Sequence, residues 1–438
     1  MSQPNNPTRR KLVVIGGGFA GLNFMKSINN GDWDITLIDR NNYHSFPPLF
    51  YQVASAGLEP GNISFPLRRE MRSRHMRGCK FRMGEVKTID TANKVVHTQY
   101  ESLPYDILVI AAGTTNNFFG IPDLEKHVYT LKSTAEALRC RNDILDRLER
   151  ACLTQDRELR RKLLTFTIVG GGPTGVEVAG ALGEMKRYIL KREYKDIDID
   201  DVNVTIIEGT DKLLRTMSEK SSAEALEYMG HLMVNVKLGK TMKTYADNVI
   251  TFADGEQMYT EMVIWTAGIT GEPFTFVGDQ PLMSPGNRFT VDAYNCVQGL
   301  KDVYAIGDIC CHTDERYPRG CPQLAQVAIQ QGVRLAKNLN RPDKRQPFDY
   351  VDKGSMATVG RNRAVVDLKH SHLYGRPAWI TWMFVHLISL LGMRNKITVL
   401  INWIWSYCTY SSSVRLLLRP NRYPLREGWS HEDKKSGN

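Results

Sequence analysis

An α/β chain of two repeated units followed by a helical appendage is what the sequence predicts, and three observations predict it. KLVVIGGGFAG at residues 11–21 and LTFTIVGGGPTG at residues 164–175 are two versions of one pattern, about 154 residues apart. Each is a short apolar run of buried-strand character that feeds a glycine turn, then a helix-like stretch, then a strand-like run ending in an acid. The third observation lies beyond Arg376, where the texture turns tryptophan-rich and apolar until Leu418. Two Rossmann-like dinucleotide-binding domains and a C-terminal amphipathic helical segment account for all three.

Composition sets the bounds. The chain has 438 residues, 42% apolar and 24% charged, with 35 Gly and 19 Pro, which excludes collagenous, low-complexity and largely disordered classes. At roughly 150 residues per domain this length predicts two to three domains. The net charge of +10 favours an anionic partner: lipid headgroups, nucleic acid or a phosphorylated cofactor. The 8 cysteines show no CxxC pair and no metal-ligand spacing, so a reducing compartment is expected and no metal site. Near the N-terminus the apolar run after the basic residues is too short for a signal peptide.

In order along the chain, the first unit predicts a strand up to the glycines, a helix over Phe19–Asn29 and a strand over Ile35–Asp39. A dense basic stretch from Arg68 to Arg82 follows, either a solvated helix face or a lipid or partner patch. YDILVIAAGTTNN (residues 105–117) predicts a buried strand ending at Gly113. The second unit predicts a helix over Val176–Arg192 and a strand over Val204–Glu208, then MVIWTAG (Met262–Gly268), with the same strand-then-AG shape. VYAIGDIC (Val303–Cys310) is a further strand, and the last residues, REGWSHEDKKSGN, predict a frayed tail.

The glycines have distinct tasks. Gly16 lets the chain leave its strand tightly, Gly18 lets the backbone approach a pyrophosphate, and Gly21 lets the helix pack on the sheet while its N-terminus faces phosphate charge. Asp39, 18 residues past Gly21, is placed to bind two ribose hydroxyls. Gly170, Gly172 and Gly175 repeat these roles, with Glu208 as the ribose acid. Its spacing of 33 residues past Gly175 exceeds the usual ~20 and is assigned to an insertion, EYKDIDIDD. Glu208 would repel a 2′-phosphate, so NAD(H) is expected over NADP(H), with Lys212 and Arg215 close enough to leave the choice open.

Two such sites, the first near the N-terminus, resemble the two-domain flavoproteins in which FAD occupies the first site and NAD(P)H the second. AIGD (Ala305–Asp308) resembles that family's second FAD signature, with Asp308 on the ribityl and phosphate region, and AAG and TAG resemble its strand-end motifs at Gly113 and Gly268. The resemblance implies a FAD domain of residues 1–130 and 287–375, an NADH domain of 131–286 and a membrane-associating region and tail of 376–438. The cysteine pair of the disulfide reductases is missing after Asp39, and vicinal Cys310 and Cys311 rarely close a disulfide, so they are taken as core or incidental.

NNYHSFPPLFYQVASAGL, GGGPTGVEVAG, WTAGI, AIGD, LAQVAIQQG and GMRNKITVLINWIWSY together resemble the type II NADH dehydrogenases, the single-subunit NADH:quinone oxidoreductases. That resemblance implies FAD held without a covalent bond, NADH as substrate and quinone as acceptor. Hydride passes from nicotinamide C4 to flavin N5, two electrons then go to quinone, and no protons are pumped. Gln326 and Gln330 lie four apart on one helix face, suited to a quinone's carbonyl oxygens, with Gln331 expected outward. Glu177 stands in the first turn of the second unit's helix, either as an N-terminal stabiliser or, as the resemblance implies, beside the flavin to gate or relay protons, with Lys353 or Lys396 as partner.

No stretch reaches 18 uninterrupted apolar residues, so a spanning helix is not expected. Ile397, Leu400, Ile401, Ile404, Trp405 and Cys408 form a helical stripe, with Trp403, Tyr407 and Tyr410 beside them and Arg415 and Arg419 closing the segment. This suits a helix lying among anionic headgroups at the cytoplasmic face of the cell membrane. A core helix or a homodimer seam is the plainer reading. Sulfide:quinone oxidoreductase and a non-respiratory flavoprotein of the apoptosis-inducing-factor kind are the alternative functions; nucleic acid is not expected as a partner, whereas a homodimer is allowed.

Overall fold

The computed structural model describes residues 9–409 and 414–418. The first repeat supplies β1 (Arg10–Ile15), α1 (Phe19–Ser27), β2 (Trp33–Asp39), β3 (Lys80–Met83) and β4 (Ile107–Ile110). A long helix, α2 (Thr134–Leu153), leads into β5 (Thr165–Val169), α3 (Pro173–Glu184), β6 (Asn203–Ile207), β7 (Asn235–Lys237) and β8 (Met262–Trp265). The chain closes with β9 (Val303–Ala305), α4 (Ala325–Asn340), β10 (Ser355–Thr358), β11 (Ala364–Asp367), β12 (His372–Tyr374), α5 (Gly375–Ser389) and α6 (Met393–Thr409). Tyr410, Arg419 and the tail lie outside the described residues.

Strands β9-β4-β1-β2-β3 form one parallel sheet and β7-β6-β5-β8 another. Continuous apolar runs suit such strands because helices cover both faces; Leu12, Val14, Ile168 and Ile206 are all fully buried. In the first sheet Ile15 aligns with Ile38 and Ile110, so β1, β2 and β4 end side by side. Strand order reverses at β1, which opens the ligand crevice of an α/β sheet just beyond those carboxyl ends. Val169, Ile207 and Trp265 align in the same way in the second sheet.

The stretch after β4 is not one strand to Gly113. The strand stops at Ile110, and Gly113 (φ +72°) turns the chain into a ribbon, Thr114–Asn116, that pairs antiparallel with Ile269–Gly271 beyond β8. A second tie pairs Thr275–Val277 with Thr88–Asp90. The long spacing before Glu208 arises because α3 runs on as a π-helical turn over Met185–Leu190 and a further turn at Lys191–Glu193, before a loop returns the chain to β6.

The antiparallel sheet β10-β11-β12 packs on α3 and on α5. The C-terminal helices have two characters at once. Ala378, Trp382 and Val399 are fully buried in the same core as α2 and the second sheet, while Ile380, Phe384, Ile388, Ile397, Ile401, Ile404 and Trp405 are exposed. The predicted stripe of α6 is therefore its outer face. A segment that detaches cleanly near Arg376 does not fit this packing, because the cut would strip Trp382 from the core.

Candidate functional site

The first glycine turn is dictated by contact. Gly16 has φ +101°, and a Cβ there would stand 2.4 Å from the Ala111 carbonyl oxygen. At Gly21 it would stand 1.9 Å from the Gly16 oxygen, whereas at Gly18 it meets open space, the room a ligand needs. The Asp39 carboxylate accepts from the Gly17 and Asn41 amides, both at 2.7 Å. Burial raises its pKa against those bonds. His44 Nδ1 lies 2.9 Å from the Gly17 carbonyl, and burial pushes this ring down to about 4, so it is a neutral donor that pins the turn.

The AIGD turn sits directly above. Gly307 (φ +80°) lies against Ala20, and a Cβ on Gly332 would come within 2.5 Å of the Ala20 oxygen, so α4 crosses α1 at backbone contact. Gln331 Oε1 accepts from the Gly307 amide at 2.6 Å and from the Cys310 thiol at 3.4 Å. The expectation that Gln331 points outward is corrected: it is 1% exposed, because the AIGD turn covers that face of α4. Burial raises the Asp308 pKa against the charges of Lys132 and Arg288. Lys132, which no motif singled out, is itself pushed down by burial and donates to Thr114 Oγ1 at 3.1 Å. Cys310 is pushed up to about 12 and Cys321 to about 11, both by burial, so they remain thiols.

The second turn repeats the first. Gly170 has φ +115°, a Cβ on Gly175 would stand 1.8 Å from the Gly170 oxygen, and Gly172 is open. Glu208 accepts from the Gly171 amide at 2.6 Å and from Thr210 at 2.8 Å, the same grip Asp39 takes. Lys212 is paired with Glu219, while Arg215 is exposed. Gly268 has φ +92°, and a Cβ there would strike the Phe119 ring.

Between the turns lies a junction. From Phe19, beside the first turn, aromatic contacts run to His44 (5.4 Å between centroids), Phe46 (5.6 Å), on to His386 (6.1 Å) and then to Trp382 on α5, stacked at 4.1 Å. Glu177 of α3 reaches the same place from the second turn. Burial pushes it up to about 8, with Thr358 and Trp382 as its polar neighbours and no charged group among the causes. Neither lysine considered as its partner is among those groups: the Lys353 amide donates to Gln326, and Lys396 Nζ donates to the Ile388 carbonyl. The face shared by Gln326 and Gln330 meets the backbone of 351–354. Gln326 donates to the Gly354 carbonyl at 3.0 Å and accepts from Lys353 at 2.9 Å; Gln330 donates to the Val351 carbonyl at 2.9 Å and accepts from its amide at 3.0 Å. That segment runs directly into β10, which carries Thr358.

The pyridine nucleotide-disulphide oxidoreductase family matches residues 10–332, and the NDH2 C-terminal domain matches 353–409. The type II NADH:quinone oxidoreductase Ndh of Mycobacterium tuberculosis is 34% identical over 421 residues, spanning 91% of this chain and 88% of that protein. This chain belongs to the type II NADH:quinone oxidoreductases. As a type II NADH:quinone oxidoreductase it shares its fold with the NDH2 structure from Plasmodium falciparum in complex with NADH, at a TM-score of 0.86 and 23% identity, over 94% of this chain and 100% of that one. The sulfide:quinone oxidoreductase of Aquifex aeolicus is more distant, at a TM-score of 0.68 and 18% identity over 88% and 92% of the two chains. The sulfide:quinone alternative is thereby less supported than the family shown. Among the described residues, no helix is long and apolar enough to cross a membrane.

Proposed function

We propose that this NADH:quinone oxidoreductase holds FAD, without a covalent bond, at Gly16, Gly18, Gly21, Asp39, Gly113 and Asp308, and NADH at Gly170, Gly172, Gly175, Glu208 and Gly268. One observation carries the reading: a buried acid from the second turn's helix and an aromatic row from the first turn meet at Trp382, on a helix whose other side is an exposed apolar face. Both dinucleotide sites and the route for a lipid-soluble acceptor thereby share one junction.

The residues present fit a flavin dinucleotide. Gly18 and Gly113 leave open space where a Cβ would stand, Asp39 is oriented by two amides, and α4 has Leu324 as its N-cap with no side-chain cap, so its first-turn amides would be free to serve an electron-rich group. When bound, the flavin supplies the two-electron carrier between nicotinamide and quinone. The chain's own task is positioning and proton supply. Quinol formation from NADH and quinone consumes one proton from solution, and Glu177, protonated at neutral pH, would hold a proton for the acceptor. Gln326 and Gln330 act at the quinone end by holding 351–354, the segment that leads into β10 and Thr358 beside Glu177. Glu208 selects NADH by accepting the ribose hydroxyls.

Residues 376–409 dock on a lipid surface at the cytoplasmic face of the cell membrane, with anionic headgroups as partner. The exposed face of α5 and α6 supports this, as do 8 free cysteines, which suit a reducing compartment. Other faces remain for a second copy. The domain division is taken as the sequence reads, and the pairing of Thr275 with Thr88 ties the end of the second unit to the first. Acid precipitation tests the cofactor assignment. It is expected to release one FAD per chain to the supernatant, and flavin retained in the pellet, or FMN released, contradicts it.

A further inference from the structure

Residues 68–77 place Arg68, Arg69, Arg72, Arg74 and Arg77 on the surface of the first unit, all exposed. The cations that follow them are already neutralised: Lys80 by Asp34 and Arg82 by Glu101. Glu70, the only acid of the stretch, is taken by Lys26. Among the described residues none of the five arginines has an ion-pair partner. Arg68 and Arg69 rest on the rings of Phe81 and Phe65, at 5.1 and 5.5 Å. Like charges this dense repel one another, and what they share is an unspent capacity for phosphate, which a guanidinium binds through two parallel N–H donors.

The position of this ridge names its partner. Its underside, Leu67 and Met76, belongs to the cluster on which Leu391 packs. Phe65 fills the space above Gly392, where a Cβ would stand 2.4 Å from its ring, and Asn395 Nδ2 donates to the Ser64 carbonyl at 3.1 Å. The turn between α5 and α6 is therefore seated on the ridge. That turn exposes Ile388 at 55%, Met393 at 71% and Ile397 at 50%, and Arg394 is exposed among them. A basic ridge abutting an exposed apolar tip matches a surface that is anionic outside and apolar within. A nucleic acid would leave the apolar tip in water.

We infer that the Arg68–Arg77 ridge binds the phosphates of anionic phospholipids and sets the angle at which α5 and α6 enter the bilayer. The inference rests on the membrane docking proposed for those helices. Its test uses the full chain with bound flavin and two vesicle preparations, pure phosphatidylcholine and a phosphatidylcholine/phosphatidylglycerol mixture. Arg72→Gln/Arg74→Gln/Arg77→Gln removes three charges that touch no ring. Wild type is expected to bind the anionic vesicles more tightly than the neutral ones by roughly a thousand-fold or more, and the triple variant to lose on the order of a hundred-fold of that preference. Its neutral-vesicle binding, flavin content and turnover with a short-tailed, water-soluble quinone should stay at wild-type levels. As a second variant, Arg72→Glu/Arg74→Glu should weaken anionic binding further. Equal binding of wild type to both vesicles, or a preference that survives in both variants, overturns the inference alone. Binding to neither vesicle overturns the docking proposal beneath it. Tighter retention on a short DNA duplex than on the anionic vesicles overturns the choice of lipid.

Discussion

Glu177→Gln is the perturbation whose consequences are most fully set by the structure. The carboxyl titrates at about 8 instead of the ordinary 4.5 because it is buried without a charged partner. Between those two values the folded chain binds a proton that the unfolded chain has released, so stability falls as pH rises through this window, and the loss is complete above about 8. At 1.36 kcal/mol per pH unit the whole effect is on the order of 5 kcal/mol as an upper bound, and the effective dielectric response of real interiors lowers it. Glutamine keeps the shape and cannot ionise. For a chain of this size, roughly 1 to 2 °C of melting temperature per kcal/mol follows from the entropy of unfolding. The variant, assayed with excess FAD, should melt near wild type at pH 4.5 and a few degrees above it by pH 8.5. In turnover the sign reverses, because the proton donor is gone: quinone reduction should slow by about 10²-fold or more while flavin reduction by NADH is spared. Wild-type turnover should itself decline as pH rises through about 8. A melting difference that stays constant with pH, or a variant slowed chiefly in the NADH half-reaction, refutes the reasoning.

Glu208→Gln removes a charge-assisted bond worth about 1.5 to 3 kcal/mol, so kcat/KM for NADH should drop roughly ten- to a hundred-fold and that for NADPH less; equal losses would remove Glu208 as the discriminator. Gln326→Ala releases 351–354 and should slow quinone reduction in rapid mixing while leaving flavin reduction intact. Gln331→Leu leaves the buried Gly307 amide unpaired at a cost of about 1 to 3 kcal/mol, and FAD retained through gel filtration should fall well below one per chain. Ile401→Ser/Ile404→Ser/Trp405→Ser removes apolar area worth several kcal/mol at about 25 cal/mol per Å² and should free the protein from vesicles without loss of flavin.

The two glycine turns were legible because their constraint is local: a backbone that must pass within contact of another backbone accepts only glycine. The stripe of α6 was legible for the same reason, since helical periodicity alone orders Ile397 to Cys408. What periodicity could not supply was direction. Gln331 falls on the same helix as Gln326 and Gln330, and its burial depends on a turn 24 residues earlier folding over it. Lys132 and His386 carry no motif; each joins its neighbours only through elements distant in sequence. The surroundings of Glu177 were not legible for the opposite reason, since a charged partner was considered where burial without one dominates. The apolar texture beyond Arg376 was legible, but not that Trp382 belongs to the core while Phe384 and Ile388 do not.

The central claim is that one bound flavin joins the two nucleotide sites to a quinone at the lipid-facing junction. Anaerobic rapid mixing tests it most directly. The purified chain is first given one equivalent of NADH, and vesicles that contain quinone are added in a second mixing step. The account predicts that the oxidised-flavin absorption bleaches fully with NADH, and that the quinone vesicles restore it at a rate no slower than steady-state turnover. A flavin that NADH leaves oxidised, or one that is reduced by NADH and regains its colour only when oxygen is admitted, contradicts it.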